Sequence, residues 1–174
     1  MALINTTTTG ILGTTVYGDG VGDLTVQKDG VTVNKITAAP AFSAYQSSAQ
    51  TLSSATFTKL SCQTEEFDTN NNFDSTTNYR FTPTVAGYYH CTAAFAVGAS
   101  NTNMLVSLYK NGSEFKRVTY QTPTGGTNQC SGSALIYCNG TTDYIEAYVY
   151  LATGQALTAA AHQTYFQASM ARAA

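Results

Sequence analysis

The chain has 174 residues, only 10% of them charged, and a formal net charge of −2. Its eight Lys and Arg are scattered, so no basic stripe tracks a phosphate backbone, and no apolar run approaches a membrane span. These features exclude nucleic-acid binding and membrane insertion, and a domain of this length buries about 70% of its unfolded surface without needing disulfides or a metal. Solubility falls to Thr, Ser, Asn and Gln, while Thr and the 12 Tyr favour strands through β-branching and aromatic packing.

Residues 1–39 differ in character from the rest. The opening MALINTTTTG lacks the charged and apolar regions of a signal peptide. Thr6 to Gly13 is low in complexity and extended, and Gly18 to Gly22 forms a Gly/Asp-rich turn. Leu24-Thr25-Val26-Gln27 and Val31-Thr32-Val33-Asn34 then alternate around Lys28-Asp29-Gly30. Asp-Gly between alternating runs signals a hairpin, because Gly accepts the positive φ of the turn. A lone hairpin is marginally stable in water. Leu24, Val26, Val31 and Val33 are therefore expected to pack on another surface, and residues 1–39 read as an anchoring arm.

From residue 40 to 174 strand-like segments recur with turn residues between them. The predicted strands are 41–46, 56–62, 79–84, 88–98, 103–110, 114–121, 130–138, 142–151 and 162–171. In 88–98, Tyr89, Cys91, Ala93, Phe95 and Val97 share one face. In 142–151, Ile145, Ala147, Val149 and Leu151 oppose Tyr144, Glu146, Tyr148 and Tyr150. Asn111-Gly112 and Asn139-Gly140 are further turns. No segment shows sustained helical periodicity. The reading is an all-β, two-sheet sandwich, with a jelly roll among the few architectures that fit.

The block Asn72-Phe73-Asp74, Phe81, Gly87 and Tyr89 resembles the signature of the C1q/TNF-like family. Ala41 to Tyr45, Phe57 to Leu60, Val106 to Gly112, Ser131 to Leu135 and Thr164 to Ala168 resemble its strands, in family order. The loop between Phe73 and Phe81 is one residue longer than the family pattern, and Cys91 and Ala93 replace aromatics. The resemblance implies a C1q/TNF-like jelly-roll sandwich and a compact homotrimer. Tyr144, Tyr148 and Tyr150 are then candidate trimer contacts, the alternative being that they cap the edge of the core.

The residues point to no enzyme. His90 and His162 hold ordinary strand positions, and no Ser or Cys stands in a nucleophile elbow. Gly18-Asp19-Gly20-Val21-Gly22 lacks the Lys and helix of a phosphate loop. Glu65, Glu66, Asp68 and Asp74, with Asn70, Asn71 and Asn72, offer oxygen ligands of the kind calcium takes, but ordinary turn chemistry is the preferred reading and no cofactor is called for. Cys62, Cys91, Cys130 and Cys138 lack metal-ligand spacing and are expected to be reduced.

With no collagen-like repeat and the look of a whole small gene product, the Thr- and Asn-rich chain resembles a bacteriophage structural protein. The leading expectation is a virion component: a homotrimeric capsid decoration or cement protein, anchored to the major capsid protein or another virion protein by its arm. A second is a receptor-binding knob of a short tail or head fibre. There the loops Thr122 to Asn128 and Leu151 to Gln155, with Thr124, Asn128 and Thr153, would meet a host surface glycan or protein. A third is a secreted C1q-like adhesive module.

Overall fold

Strands form here because β-branched and aromatic residues recur at a spacing of two, which places them on one face of a pleated chain. The computed structural model describes residues 39–99, 103–123, 125–126 and 128–174, and the backbone alone of 15–18, 24–28 and 31–36. Contacts divide the chain into two compact units, residues 1–39 with Ala173 and residues 40–172 with Ala174.

In the first unit β1 (Thr15–Gly18), β2 (Leu24–Lys28) and β3 (Val31–Ile36) form an antiparallel sheet in that order. The β2–β3 pairing runs from Leu24 opposite Ile36 to Lys28 opposite Val31, the hairpin that Asp29-Gly30 predicts. Strand β1 is an addition to the sequence reading; four residues are too few to show alternation.

The second unit is a sandwich of two antiparallel sheets. One runs β11 (Ser113–Gln121), β10 (Met104–Lys110), β13 (Ile145–Leu151), β8 (Arg80–Phe81), β7 (Phe73–Asp74), with β5 (Thr58–Lys59) also on β13. The other runs β12 (Asn128–Cys138), β9 (Gly87–Val97), β14 (Tyr165–Ala173), β4 (Ala41–Tyr45), β6 (Thr64–Asp68). From β4 onward every connection crosses between sheets except the β7–β8 and β10–β11 steps. This interleaving is the jelly roll. Strand β6 was not legible as one: TEEFD carries edge-strand charges rather than alternation, and it pairs with β4 through an irregular register between Ser43 and Ala44.

The alternation in β9 and β13 faces inward as expected. Tyr89, Cys91, Ala93, Phe95 and Val97 join Ile145, Ala147, Val149 and Leu151 in one continuous core with Met104, Val106 and Leu108. The family-like block builds one region of that core. Phe73 stacks on Phe42 at 4.4 Å between centroids, and Phe81 meets Phe42 at 4.7 Å and Tyr89 at 5.4 Å. The Tyr89 hydroxyl donates to Val85 O at 2.6 Å, closing the turn before β9. Buried Asn72 accepts from Thr84 N at 3.2 Å and donates to Asn70 O at 3.1 Å. Asp74 accepts from the amides of Thr76, Thr77 and Asn78, which holds the longer loop in a closed turn. These residues make the scaffold.

The two ends of the sandwich differ. At one lie Asn111, Asn139, Val85 and Pro40, the residue preceding β4. Asn111 donates to Asp143 at 2.7 Å and accepts from Tyr144 N at 3.0 Å. Lys110 Nζ lies 2.9 Å from Asp143. At the other end Asn103, in the β9–β10 connection, accepts from Tyr120 of β11 through its side chain at 2.8 Å and from Ala152 N, just after β13, through its carbonyl at 3.0 Å.

Candidate interaction face

A two-sheet sandwich has two outer faces, and in this one they differ in chemistry. On the six-stranded sheet the outward aromatics of its central strands are packed on one another, while Phe115 (48% exposed) and Tyr120 (61%) stand exposed on its edge strand β11. Tyr109 stacks on Tyr148 at 3.8 Å, and Phe57 lies 5.3 Å from Tyr150 and 6.4 Å from Tyr109. Arg117 sits 5.4 Å above Phe57 and Arg80 4.5 Å above Tyr144. Arg117 also forms a two-pronged bond to Glu114, which lowers the carboxyl's pKa, with Ser107 Oγ donating to the same group at 2.7 Å. Lys59 Nζ lies 2.5 Å from buried Glu146. Burial raises the hydroxyls of Tyr109 and Tyr148. Tyr144, Tyr148 and Tyr150, the tyrosines read as trimer contacts or edge caps, therefore lie half-buried within this self-packed face.

The five-stranded sheet presents the opposite case. Outward positions of β12, β9, β14 and β4 carry no Lys, Arg, Asp or Glu. Of the large apolar side chains exposed among the described residues, four stand on this face: Phe67 (52% exposed), Tyr88 (42%), Leu135 (54%) and Tyr137 (42%). Tyr137 pairs with Tyr88 across β12 and β9, their rings 5.4 Å apart, and Leu135 pairs with His90. Between His90 and Phe67 the face dips into a recess of about 200 Å³, walled by Thr92, Gln167 and Ser169 and floored by Ala41, Phe42 and Ala168. At its rim Ser43 Oγ donates to Glu66 at 2.7 Å.

The remaining sequence candidates are accounted for as follows. Leu24, Val26, Val31 and Val33 lie in β2 and β3, whose backbone pairing alone is described. Asn128 opens β12 and donates to Gly126 O at 2.7 Å; Thr153 is exposed in the loop after β13. Both lie at the sandwich end away from Pro40, and Thr124 lies outside the described residues. The acid-rich loop is held by its own donors: Asp68 accepts from Asn70 N and Phe73 N, and Glu65 from Ser75 Oγ. Among the described residues no three His, Cys, Asp or Glu converge as metal ligands. Cys62, Cys91, Cys130 and Cys138 are buried free thiols. Burial pushes Cys62 and Cys130 up to about 12 and Cys138 up to about 11, so none is a thiolate at neutral pH.

This arrangement is a C1q/TNF-like jelly roll, a fold defined by strand interleaving rather than by an active site. Three solved structures share it at low identity. The crystal structure of murine APRIL at pH 8.0 superposes with a TM-score of 0.60 at 11% identity, covering 76% of this chain and 98% of that one. The globular domain of zebrafish complement 1qA gives 0.60 at 13%, over 78% and 99%. Eiger TNF from S. frugiperda gives 0.57 at 12%, over 78% and 93%. No family model matches the sequence, and no curated protein matches it.

Proposed function

We propose that this protein is a non-catalytic homotrimeric virion component: a decoration or cement protein on the outside of a phage head, held to the major capsid protein by residues 1–39. The observation that carries the reading is the outer face of β12, β9, β14 and β4, which carries no Lys, Arg, Asp or Glu, with Tyr88, Leu135 and Tyr137 exposed on it and Phe67 exposed beside it on the acidic edge strand β6. Charge depletion with aromatic enrichment marks the centre of an interface. At about half exposure, and ~150–250 Å² per large side chain, the four present roughly 350 Å². That is nearly half of the ~800 Å² each partner gives to a standard interface. Self-association agrees with the fold likeness, and Tyr144, Tyr148 and Tyr150 are half-buried where Tyr88, Leu135 and Tyr137 are exposed. The capsid assignment is supported by the Thr- and Asn-rich composition and by a separate N-terminal unit with its own small sheet.

The head begins at Pro40, at the end of the sandwich away from Asn128 and Thr153. The second function is the fibre-knob reading, with a host glycan or protein at the loops of that far end, around Asn128 and Thr153. Deleting residues 1–39 is expected to leave a head that elutes at three times the monomer mass by light scattering and no longer co-sediments with phage capsids. A deleted head that still decorates capsids overturns the anchoring role. Binding of the isolated head to host cells with no capsid binding by the full chain decides for the knob.

A further inference from the structure

Tyr120 is the most exposed of the large apolar side chains among the described residues, and it stands on the sheet whose central aromatics are covered. Strand pairing sets it opposite Leu105, and Leu105 opposite Tyr150, so the three share the outer face of β11, β10 and β13. Leu105 is buried there and Tyr150 half-buried, which leaves the Tyr120 ring standing on a closed base. Asn103 lies two residues before Leu105 and so on the same face. Its Oδ1 accepts from the Tyr120 hydroxyl at 2.8 Å and from Thr122 Oγ1 at 3.4 Å. Its carbonyl accepts from Ala152 N at 3.0 Å, which fixes the backbone beneath. With the side-chain oxygen engaged twice, the carboxamide turns its N–H2 group outward, and no acceptor meets that group among the described residues.

The size and charge of this patch select its ligand. At ~150–250 Å² for a whole aromatic side chain, Tyr120 presents roughly 90–150 Å². A standard protein interface takes ~800 Å² from each partner, far more than this patch gives. Phe115, the other exposed aromatic of β11, lies ~17 Å along the strand at ~3.4 Å per residue, too far to extend it. Arg117 is matched by its two-pronged bond to Glu114, and Lys116 is turned to the Phe115 ring, so neither an anion nor a cation finds a counter-charge beside Tyr120. What remains is a flat apolar ring edged by an oriented N–H2 donor and a hydroxyl. A pyranose is its complement, with C–H groups on one face and hydroxyls round the rim. We propose that Tyr120, Asn103 and Thr122 form a site for a neutral saccharide. The sugar lays its C–H face on the Tyr120 ring, one rim hydroxyl accepts from Asn103 Nδ2 and a second donates to Thr122 Oγ1. The proposal rests on the fibre-knob reading for its use, and it adds a sheet-face site at the same end as Asn128 and Thr153.

Saturation-transfer NMR on the full chain tests the site, with lactose, cellobiose and N,N′-diacetylchitobiose as probes, each titrated to about 20 mM. At least one is expected to bind with a Kd of about 1 mM, its ring C–H protons receiving the strongest transfer. Tyr120→Ala and Asn103→Ala are each expected to weaken that binding about 10-fold or more, and Tyr120→Phe, which keeps the ring, less than Tyr120→Ala. Tyr137→Ala, an exposed tyrosine on the other sheet, should leave it unchanged. Unchanged circular dichroism separates lost contact from lost fold, and Asn103→Ser replaces Asn103→Ala if that variant unfolds. Transfer to none of the three probes, or transfer that survives Tyr120→Ala, overturns the site. Sialyllactose, which adds a carboxylate, binding about 10-fold tighter than lactose overturns its neutral character. Host-cell binding by a head that takes up none of the probes overturns this site and leaves the fibre-knob reading standing.

Discussion

Asp74 and Asp143 show at residue scale what holds the turns of this sandwich. Both carboxyls lie below the usual carboxylate range. Asp74 is held there by the amide of Thr77 first, then those of Thr76 and Asn78 with the Asn78 side chain; Asp143 by the Asn111 amide first, then Lys110 and Asn139 N. A carboxyl whose folded pKa is depressed contributes stability that is fully present above its unfolded value, ~3.9 for Asp, and is lost as pH falls through the folded value. The urea midpoint is therefore expected to stay level from neutral pH to about pH 5 and to fall below about pH 4. Asp74→Asn keeps one acceptor oxygen but no charge. It is expected to cost about 1–2 kcal/mol at neutral pH and to shrink the acid limb. An acid limb of the same depth in both proteins would remove Asp74 as one of its sources.

At the scale of elements, the fixed points are turns pressed against neighbouring backbone. Gly140 sits at φ +74, and a Cβ there would lie 2.4 Å from Ala86 N in the turn before β9. Gly126 has the same φ with nothing within 4 Å. Alanine at Gly126 is expected to cost only the left-handed conformation, about 1 kcal/mol, and alanine at Gly140 about 2–4 kcal/mol because backbone must move. Equal shifts in the two denaturation midpoints would remove the crowding argument. The same contrast explains what the sequence showed and what it hid. Period-two runs such as Tyr89 to Val97 and Ile145 to Leu151 announced their strands and their inner faces. The two-residue strands β5 and β8 fall inside the predicted runs 56–62 and 79–84, whereas β7 has no period to show and β6 disguises itself as an acidic loop. Alternation also says which side chains point outward without saying which sheet lacks a cover. Tyr148 and Tyr150 carry the same signal as Tyr88 and Tyr137; only the fold reveals that the first pair is packed under Phe57 and Tyr109 while the second stands exposed.

For the whole molecule, one core joins both sheets of the head, so its strands are expected to lose structure together. If the exposed sheet face is covered by sister copies, that transition carries three chains from folded trimer to unfolded monomer. Mass action then links thermal stability to concentration, because assembly binds the folded state and not the unfolded one. For a three-chain transition a tenfold dilution removes about two-thirds of RT ln 10, or ~0.9 kcal/mol, per chain. With ~2–8 °C of Tm per kcal/mol across domains of this size range, the Tm of the isolated head is expected to drop on the order of 3 °C per tenfold dilution. The Leu135→Asp head should lose that slope while keeping a single sharp transition, since Leu135 lies outside the buried core. A reducing agent should move neither curve, because Cys62, Cys91, Cys130 and Cys138 are free thiols within the fold. A Tm that ignores dilution in the unmodified head would mean that folding is complete in the monomer and that the aromatic face awaits a different partner.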